Sequence, residues 1–327
     1  MRPLVEEIRL IAKAELLSLY CDKVGFRCLG LSSVVHGADP WFDCSLHGAD
    51  MVQVDAFAAG PFSGNPAAVV FAHGSSSWMQ RVANENNLAE TAFLRKLPGK
   101  DTYHIRWFTP ESEVDLCGHA TLAAAYALFR TGRVPSDDAE TTITLQTRNA
   151  GALLVTKSQD SDWLTMDLPT SDLAPVSSVP PALREAVCRG GVEILYCGRG
   201  SATVPDWFVE VSDFSADIDV DALRGNGDDF DVPRGVILTK RGDGSPYDFE
   251  SRFFAPGESI PEDPVTGSAH TLLTKYWEAK LHKSPLLARQ ASPRGGVLKV
   301  HTTAQGRTIV QGQAARVLTA TLLARDD

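Results

Sequence analysis

Arg106-Trp107-Phe108-Thr109-Pro110, followed by an acidic loop and then Gly118-His119-Ala120, returns later in the chain as Arg252-Phe253-Phe254-Ala255-Pro256, an acidic loop and Gly267-Ser268-Ala269. Both runs read Arg-aromatic-Phe-small-Pro, and in both the glycine precedes an apolar helical stretch, Thr121 to Arg130 in the first and His270 to Lys280 in the second. The copies lie 146 residues apart at the arginine and 149 apart at the glycine, close to half of the chain after Met51. Chance among short aromatic strands explains one such match poorly. It does not explain strand, proline, acidic loop, glycine and helix recurring in the same order. A duplicated unit predicts two similar lobes.

Working outward, Val52 to Ala56 alternates like a half-buried strand, and Ala67 to Phe71 follows the turn-forming Ser63-Gly64-Asn65-Pro66. Ser75 to Asn87 reads as a helix, with serines before it and asparagines at its end. Leu153 to Thr156 and Trp163 to Leu168 read as a hairpin, and the four prolines in residues 169–181 suit a link between lobes. Trp207 to Val211, Val236 to Leu238, Val297 to His301 and Thr308 to Gln311 read as strands of the second lobe. Many short strands around few helices, without βαβ alternation, predict an α+β fold and count against a Rossmann or barrel architecture. The expected division is an extension over residues 1–50, a first lobe over 51–170 and a second over 171–327, whose last strand returns to the first lobe.

In the extension, Val5, Ile8, Ala12, Leu16 and Leu19 fit one stripe of a helix, while Glu6, Glu7 and Glu15 are unusual for an organelle transit peptide. Its role stays open between a dispensable leader, an organelle signal and a misassigned start, with Met51 where the folded enzyme is expected to begin. The 327 residues are 43% hydrophobic, enough for a sizeable core. A net charge of −10 argues against nucleic-acid and anionic-membrane partners, although a pocket can still supply local donors to an anion. The cysteines Cys21, Cys28, Cys44, Cys117, Cys188 and Cys197 form no CxxC pair and read as reduced thiols of a cytoplasmic protein. His36, Cys44 and His47 lack ligand spacing, and Gly198-Arg199-Gly200 lacks the rest of a dinucleotide fingerprint, so neither a metal nor a nucleotide cofactor is expected.

Each repeat places a glycine among small residues at a helix start, where unpaired N–H groups and the helix dipole favour an anion. Two such starts facing one another would grip a carboxylate, or an enolate forming beside it. The plainer alternative is that Gly118 and Gly267 only permit tight turns. Around the first start stand Asp115, Cys117 and His119, and around the second Glu262, Asp263, Ser268 and His270. Glu90 stands in an otherwise apolar or neutral stretch, Asn87-Leu88-Ala89-Glu90-Thr91-Ala92-Phe93-Leu94. Partial burial would raise its pKa and suit it to act as a base near neutral pH.

Several of these stretches, in order, resemble one known family. Asp55-Ala56-Phe57, Gly64-Asn65-Pro66-Ala67-Ala68-Val69, the Glu90 stretch, Arg106-Trp107-Phe108-Thr109-Pro110, Cys117-Gly118-His119-Ala120-Thr121 and Glu262-Asp263-Pro264-Val265-Thr266-Gly267-Ser268-Ala269 are similar to the phenazine biosynthesis-like (PhzF-type) isomerases, from about Met51 onward. The resemblance implies a diaminopimelate epimerase-like fold, two pseudo-symmetric lobes each curling a mostly antiparallel sheet around a central helix. It implies a cofactor-independent isomerase or epimerase acting on a small anionic metabolite, and a homodimer. Glu90 would be the acid/base, supported by His119, Asp263 and Ser268, with Gly64, Asn65, Gly118, Thr266 and Gly267 bordering the substrate. Diaminopimelate epimerase uses a thiol at each helix start. Here the two positions hold Cys117 and Thr266, which makes a symmetric two-thiol epimerase an unfavoured reading. Two alternatives remain: an amino-acid racemase or epimerase pairing Cys117 with Glu90, and a non-catalytic protein that binds a small acid.

Overall fold

The computed structural model describes residues 8–13, 26–31, 41–46 and 49–323, except 136–137, 160, 203, 216–217, 225–229, 244–245 and 257–259. The strands from Ala49 to Leu322 form a hydrogen-bonded network that closes on itself, with helices packed against it. Helix α1 is Ser76–Asn86, α2 Gly118–Arg130, α3 Pro181–Val187 and α4 His270–Leu281. No helix among the described residues is long and apolar enough to cross a membrane.

The repeat is a repeat of pairing scheme. In the first half, Asn65–Val70 runs parallel to Glu90–Lys96, which is antiparallel to Thr102–Phe108. In the second, Trp207–Val211 runs parallel to Val236–Arg241, which is antiparallel to Phe249–Ala255. Thr102–Phe108 then pairs in parallel with Glu140–Gln146, as Phe249–Ala255 does with Leu286–Gln290. Even the ion pair after the strand is duplicated. Arg106 grips Glu113 at 2.7 and 2.6 Å, and Arg252 grips Glu262 at 2.7 and 2.8 Å. Each guanidinium also lies over the Phe two residues on, at 5.1 and 4.9 Å. A bidentate fork against a carboxylate locks the strand to its acidic loop and so fixes where the following helix begins.

The halves are stitched by two strand pairs. Leu164–Pro169 lies antiparallel to Arg307–Gly312, and Ala314–Leu322 returns to pair with Ala49–Ala56. Phe57, fully buried with a left-handed φ of +58°, seats its ring where a Cβ on Gly312 would lie 2.3 Å away. Its carbonyl accepts from the Val297 N–H at 3.1 Å.

Helix α2 buries ten of its residues, among them Ala120, Ala123, Ala124, Ala125 and Ala127. An alanine-rich helix apolar on every side belongs inside a curled sheet, because short side chains let strands approach closely. Helix α4 is held differently. Trp277, fully buried, stacks on Phe249 at 5.7 Å and donates its indole N–H to Thr239 at 2.9 Å. Burying one such side chain contributes about 1.5–3 kcal/mol.

Three expectations need correction. Ile8 and Ala12 sit in strand Ile8–Lys13, paired antiparallel with Trp41–Leu46, so no helical stripe runs through them; Val5, Leu16 and Leu19 lie outside the described residues. Six residues with apolar positions on both periods fit a strand as well as a helix, and pairing decides. The proline-rich link contains strand Leu173–Pro175, paired with Ile194–Gly200, and the first turn of α3. Prolines are tolerated there because the first is at a strand end and the last opens a helix. Finally, Gly118 opens α2 directly, whereas Gly267 precedes α4 by a tight turn in which the N–H of His270 reaches the Gly267 carbonyl at 3.2 Å.

Candidate active site

The starts of α2 and α4 meet between the halves. A Cβ built on Gly118 would lie 3.6 Å from the Gly267 Cα, and one on Gly267 would lie 3.8 Å from the Gly118 Cα. Neither glycine has a positive φ, so turn formation alone does not call for them. Their lack of a side chain leaves space between the helix starts, and no side chain caps either helix. A cavity of about 390 Å³ opens there. Glu90, Asp115, Cys117, Gly118, His119, Arg234, Asp263, Thr266, Gly267 and Ser268 all line it. Val114, Leu116, Leu153, Leu154, Met166 and Leu168, from three segments of the first half, form an apolar side.

Glu90 is the first residue of strand Glu90–Lys96, next to the turn that ends α1 with left-handed Asn87. Its carboxylate Oε2 lies 2.9 Å from His119 Nε2, yet the two atoms are not aligned as a hydrogen bond. Behind the imidazole, the Asn65 amide nitrogen contacts Asp263 Oδ1 at 2.8 Å, the Val265 carbonyl at 3.0 Å and His119 Nδ1 at 3.1 Å. An amide nitrogen has two hydrogens. The two shorter contacts are to acceptors and use both, which leaves His119 Nδ1–H to face the Cys117 sulfur at 3.5 Å. Cys117 and His119 meet although they are two residues apart, because Cys117 is the extended N-cap residue and not part of the helix.

The charges follow from these contacts. Burial pushes the Glu90 carboxyl up, but the facing His119 and the Cys117 thiol outweigh it, and its pKa is held below the ordinary value. The expectation of a raised Glu90 pKa is therefore corrected. Burial opposes the His119 imidazolium, but Cys117 and Glu90 beside it raise its pKa well above the ordinary histidine value. Burial, and next the Glu90 charge, drive the Cys117 thiol up to about 11. Burial also raises Asp263 to about 6, against the pull of His119, the Thr266 hydroxyl and Asn65. These shifts favour an ionised Glu90 facing a protonated His119, with Glu90 the charge that holds the imidazolium when the thiol behind is neutral.

Around the second corner, the Thr266 hydroxyl donates to Asp263 Oδ2, and Gln290 accepts from the Thr266 N–H at 2.8 Å. Ser268, the counterpart of His119, accepts from Arg234 Nη1 at 2.8 Å. Sequence reasoning missed Arg234. It lies next to the counterpart of Glu90: Thr91 pairs with Phe108 as Val236 pairs with Phe254, so Glu90 corresponds to Gly235, one residue after Arg234. Gly235 has no room for a side chain, since a Cβ would meet the Phe253 ring at 2.4 Å.

The predicted set is thus mostly gathered, with some exceptions. Gly64 and Asn65 do not line the cavity. Gly64 has a left-handed φ of +67° and no space for a Cβ, 2.2 Å from the Ala56 carbonyl; it shapes the turn that sets Asn65 behind His119. Glu262 pairs with Arg252, and His270 is buried with Nδ1 on the Thr266 carbonyl at 2.9 Å. Asp115 lines the cavity and accepts from Asn149 at 2.6 Å. The donor atoms of Glu90, Cys117 and His119 lie within 4.8 Å of one another, close enough to share a metal ion. Cys44 lies in a described strand whose side chains are not described, and His36 and His47 fall outside the described residues.

The sequence and the fold have known relatives. Residues 54–320 match the family described as phenazine biosynthesis-like protein. An uncharacterised isomerase of Halalkalibacterium halodurans is 40% identical over 272 residues, covering 83% of this chain and 97% of that protein. A phenazine biosynthesis-like domain-containing protein of Mus musculus is 38% identical over 296 residues, with 83% and 97% covered. The crystal structure of a PhzF-family protein from Enterococcus faecalis superposes with a TM-score of 0.72 at 36% identity, covering 84% of this chain and 98% of that one.

Proposed function

The chain belongs to the phenazine biosynthesis-like family of isomerases, and from that premise we propose that it moves a proton on carbon of a small carboxylate-bearing metabolite, with Glu90 as the acid/base. The observation that carries this reading is the Glu90–His119 pair: two oppositely charged groups 2.9 Å apart, both on the cavity, neither using its facing atom in an aligned hydrogen bond.

A carboxylate kept ionised is ready to accept a proton. The C–H electron pair then becomes an enolate, whose charge falls toward the uncapped start of α2 and the Gly267–Ser268 turn that precedes α4. Glu90 returns the proton to another carbon, which is isomerisation; epimerisation would need a second group to deliver a proton to the opposite face of the same carbon. His119 holds the compensating positive charge, its Nδ1 facing the Cys117 sulfur, while Asn65 packs behind the ring, tied to Asp263 and the Val265 carbonyl. Ser268 borders the second helix start. No step requires a cofactor. Cys117 is close enough to share the work, but a thiol held near 11 is a poor base at neutral pH, so it plays no part in the transfer.

Incubating the full chain in D2O with a panel of amino acids and cyclic unsaturated acids tests this, with deuterium read by NMR and chirality by chromatography. Deuterium entering at carbon with wild type and not with Glu90→Gln is expected. Equal exchange by both proteins would move the role elsewhere. Binding without exchange would favour a protein that only holds a small acid.

A further inference from the structure

Arg234 carries more donors than its neighbours consume. Its Nε donates to Asp206 Oδ1 at 2.8 Å, its Nη2 to Asp206 Oδ2, and its Nη1 to Ser268. A guanidinium has five N–H groups, so two remain, one on each terminal nitrogen, available to donate to a bound carboxylate. Asp206 is fully buried and holds the guanidinium along its Nε–Nη2 edge. The Phe253 ring lies 5.2 Å away. The rotamer is therefore fixed before anything binds, which lowers the entropy cost of a bidentate contact. Among the lining residues Arg234 is the one lysine or arginine, while Leu116, Leu153, Leu154 and Met166 supply apolar surface in the same cavity. Leu116 and Leu154 are left 45% exposed at its edge, a cost that a bound apolar body would remove.

Resting on the proton-transfer reading above, we propose that Arg234 is the substrate-binding residue that receives the carboxylate, and that the substrate class is a monocarboxylate with an apolar body. Such a molecule places its charge on the α4 corner and its carbon skeleton against the leucines. Its acidified carbon then falls between, within reach of Glu90. A second carboxylate would be set against the apolar side, or against Asp115 and Asp167, which also line the cavity.

Calorimetric titration of the full chain with benzoate, benzamide and succinate tests this without knowledge of the true substrate. Wild type should bind benzoate at least about tenfold more tightly than benzamide or succinate, roughly 1.4 kcal/mol. Arg234→Gln should remove that preference while leaving benzamide binding in place. Because Arg234→Gln strands a buried Asp206, the double variant Arg234→Gln/Asp206→Asn serves as a second probe, with thermal melting as the check on folding. Glu90→Gln should bind benzoate within about twofold of wild type, so the anchor and the proton-transfer assignment fail separately. Unchanged benzoate affinity in both folded Arg234 variants, or no preference for benzoate in wild type, would overturn the proposal.

Discussion

At the start of α2 a carboxylate faces an imidazole, Glu90 against His119; at the start of α4 a guanidinium faces a hydroxyl, Arg234 against Ser268. The ion pairs behind the two corners, Arg106–Glu113 and Arg252–Glu262, correspond in the duplicated pairing scheme, as His119 and Ser268 do, while Arg234 stands one residue before the counterpart of Glu90. The frame has kept its symmetry while the working groups have lost it. A racemase that removes and returns a proton from opposite faces needs an acid/base at each corner. Here one corner carries the facing carboxylate and imidazole and the other a permanent cation. This division suits an enzyme in which one side moves the proton and the other holds the substrate still.

The largest effect should come from removing the first corner's base. Glu90→Gln should lower turnover by about 10²–10⁴-fold, measured as deuterium exchange, with little change in thermal stability. Comparable losses from Thr266→Ala would instead point to a second acid/base and restore the symmetry. A smaller loss, about 10-fold to 100-fold, is expected for Gly118→Ala, whose Cβ enters the space between the helix starts at ordinary contact distance from Gly267. That variant should melt close to wild type. Gly64→Ala should not, because it places a side chain on a left-handed backbone against the Ala56 carbonyl.

Stability should report the charged corner through pH. A histidine whose folded pKa is raised stabilises the fold fully below its ordinary value of 6.5, and that contribution is lost as pH rises through the folded value. Resistance to chemical denaturation should therefore fall above about pH 6.5, with a slope of up to about 1.4 kcal/mol per pH unit while this one group titrates. His119→Asn should flatten the slope. Asp263, raised to about 6, acts with the same sign at lower pH: its contribution is lost between its ordinary value and about 6, and Asp263→Asn should remove that part. The smallest effect is predicted for Cys117→Ala, which should retain exchange within about threefold, since a neutral buried thiol contributes packing and no base. A large loss there would bring the mixed Glu90–Cys117 scheme back.

Much of this was legible in the chain because duplication writes the same word twice. The Arg-aromatic-Phe-small-Pro run located both helix starts, and Glu90, His119, Asp263 and Ser268 stood beside them or in a motif of their own. Arg234 was not legible, since it follows Asp231-Val232-Pro233 and reads as part of a turn. Only the parallel register of Trp207 with Val236 brings it to a serine 34 residues away. The sign of the Glu90 shift was lost for a similar reason: burial could be guessed from its neighbours, but the imidazole that outweighs burial arrives from α2. Ile8–Lys13 misled because six residues do not separate a period of two from one of 3.6.

The most direct test of the division of labour is the rate of solvent-deuterium incorporation at saturating substrate in Glu90→Gln. A fall of about 10²-fold or more, with substrate affinity unchanged, is the predicted result. Wild-type exchange at saturation would contradict it and take the proton away from the first corner.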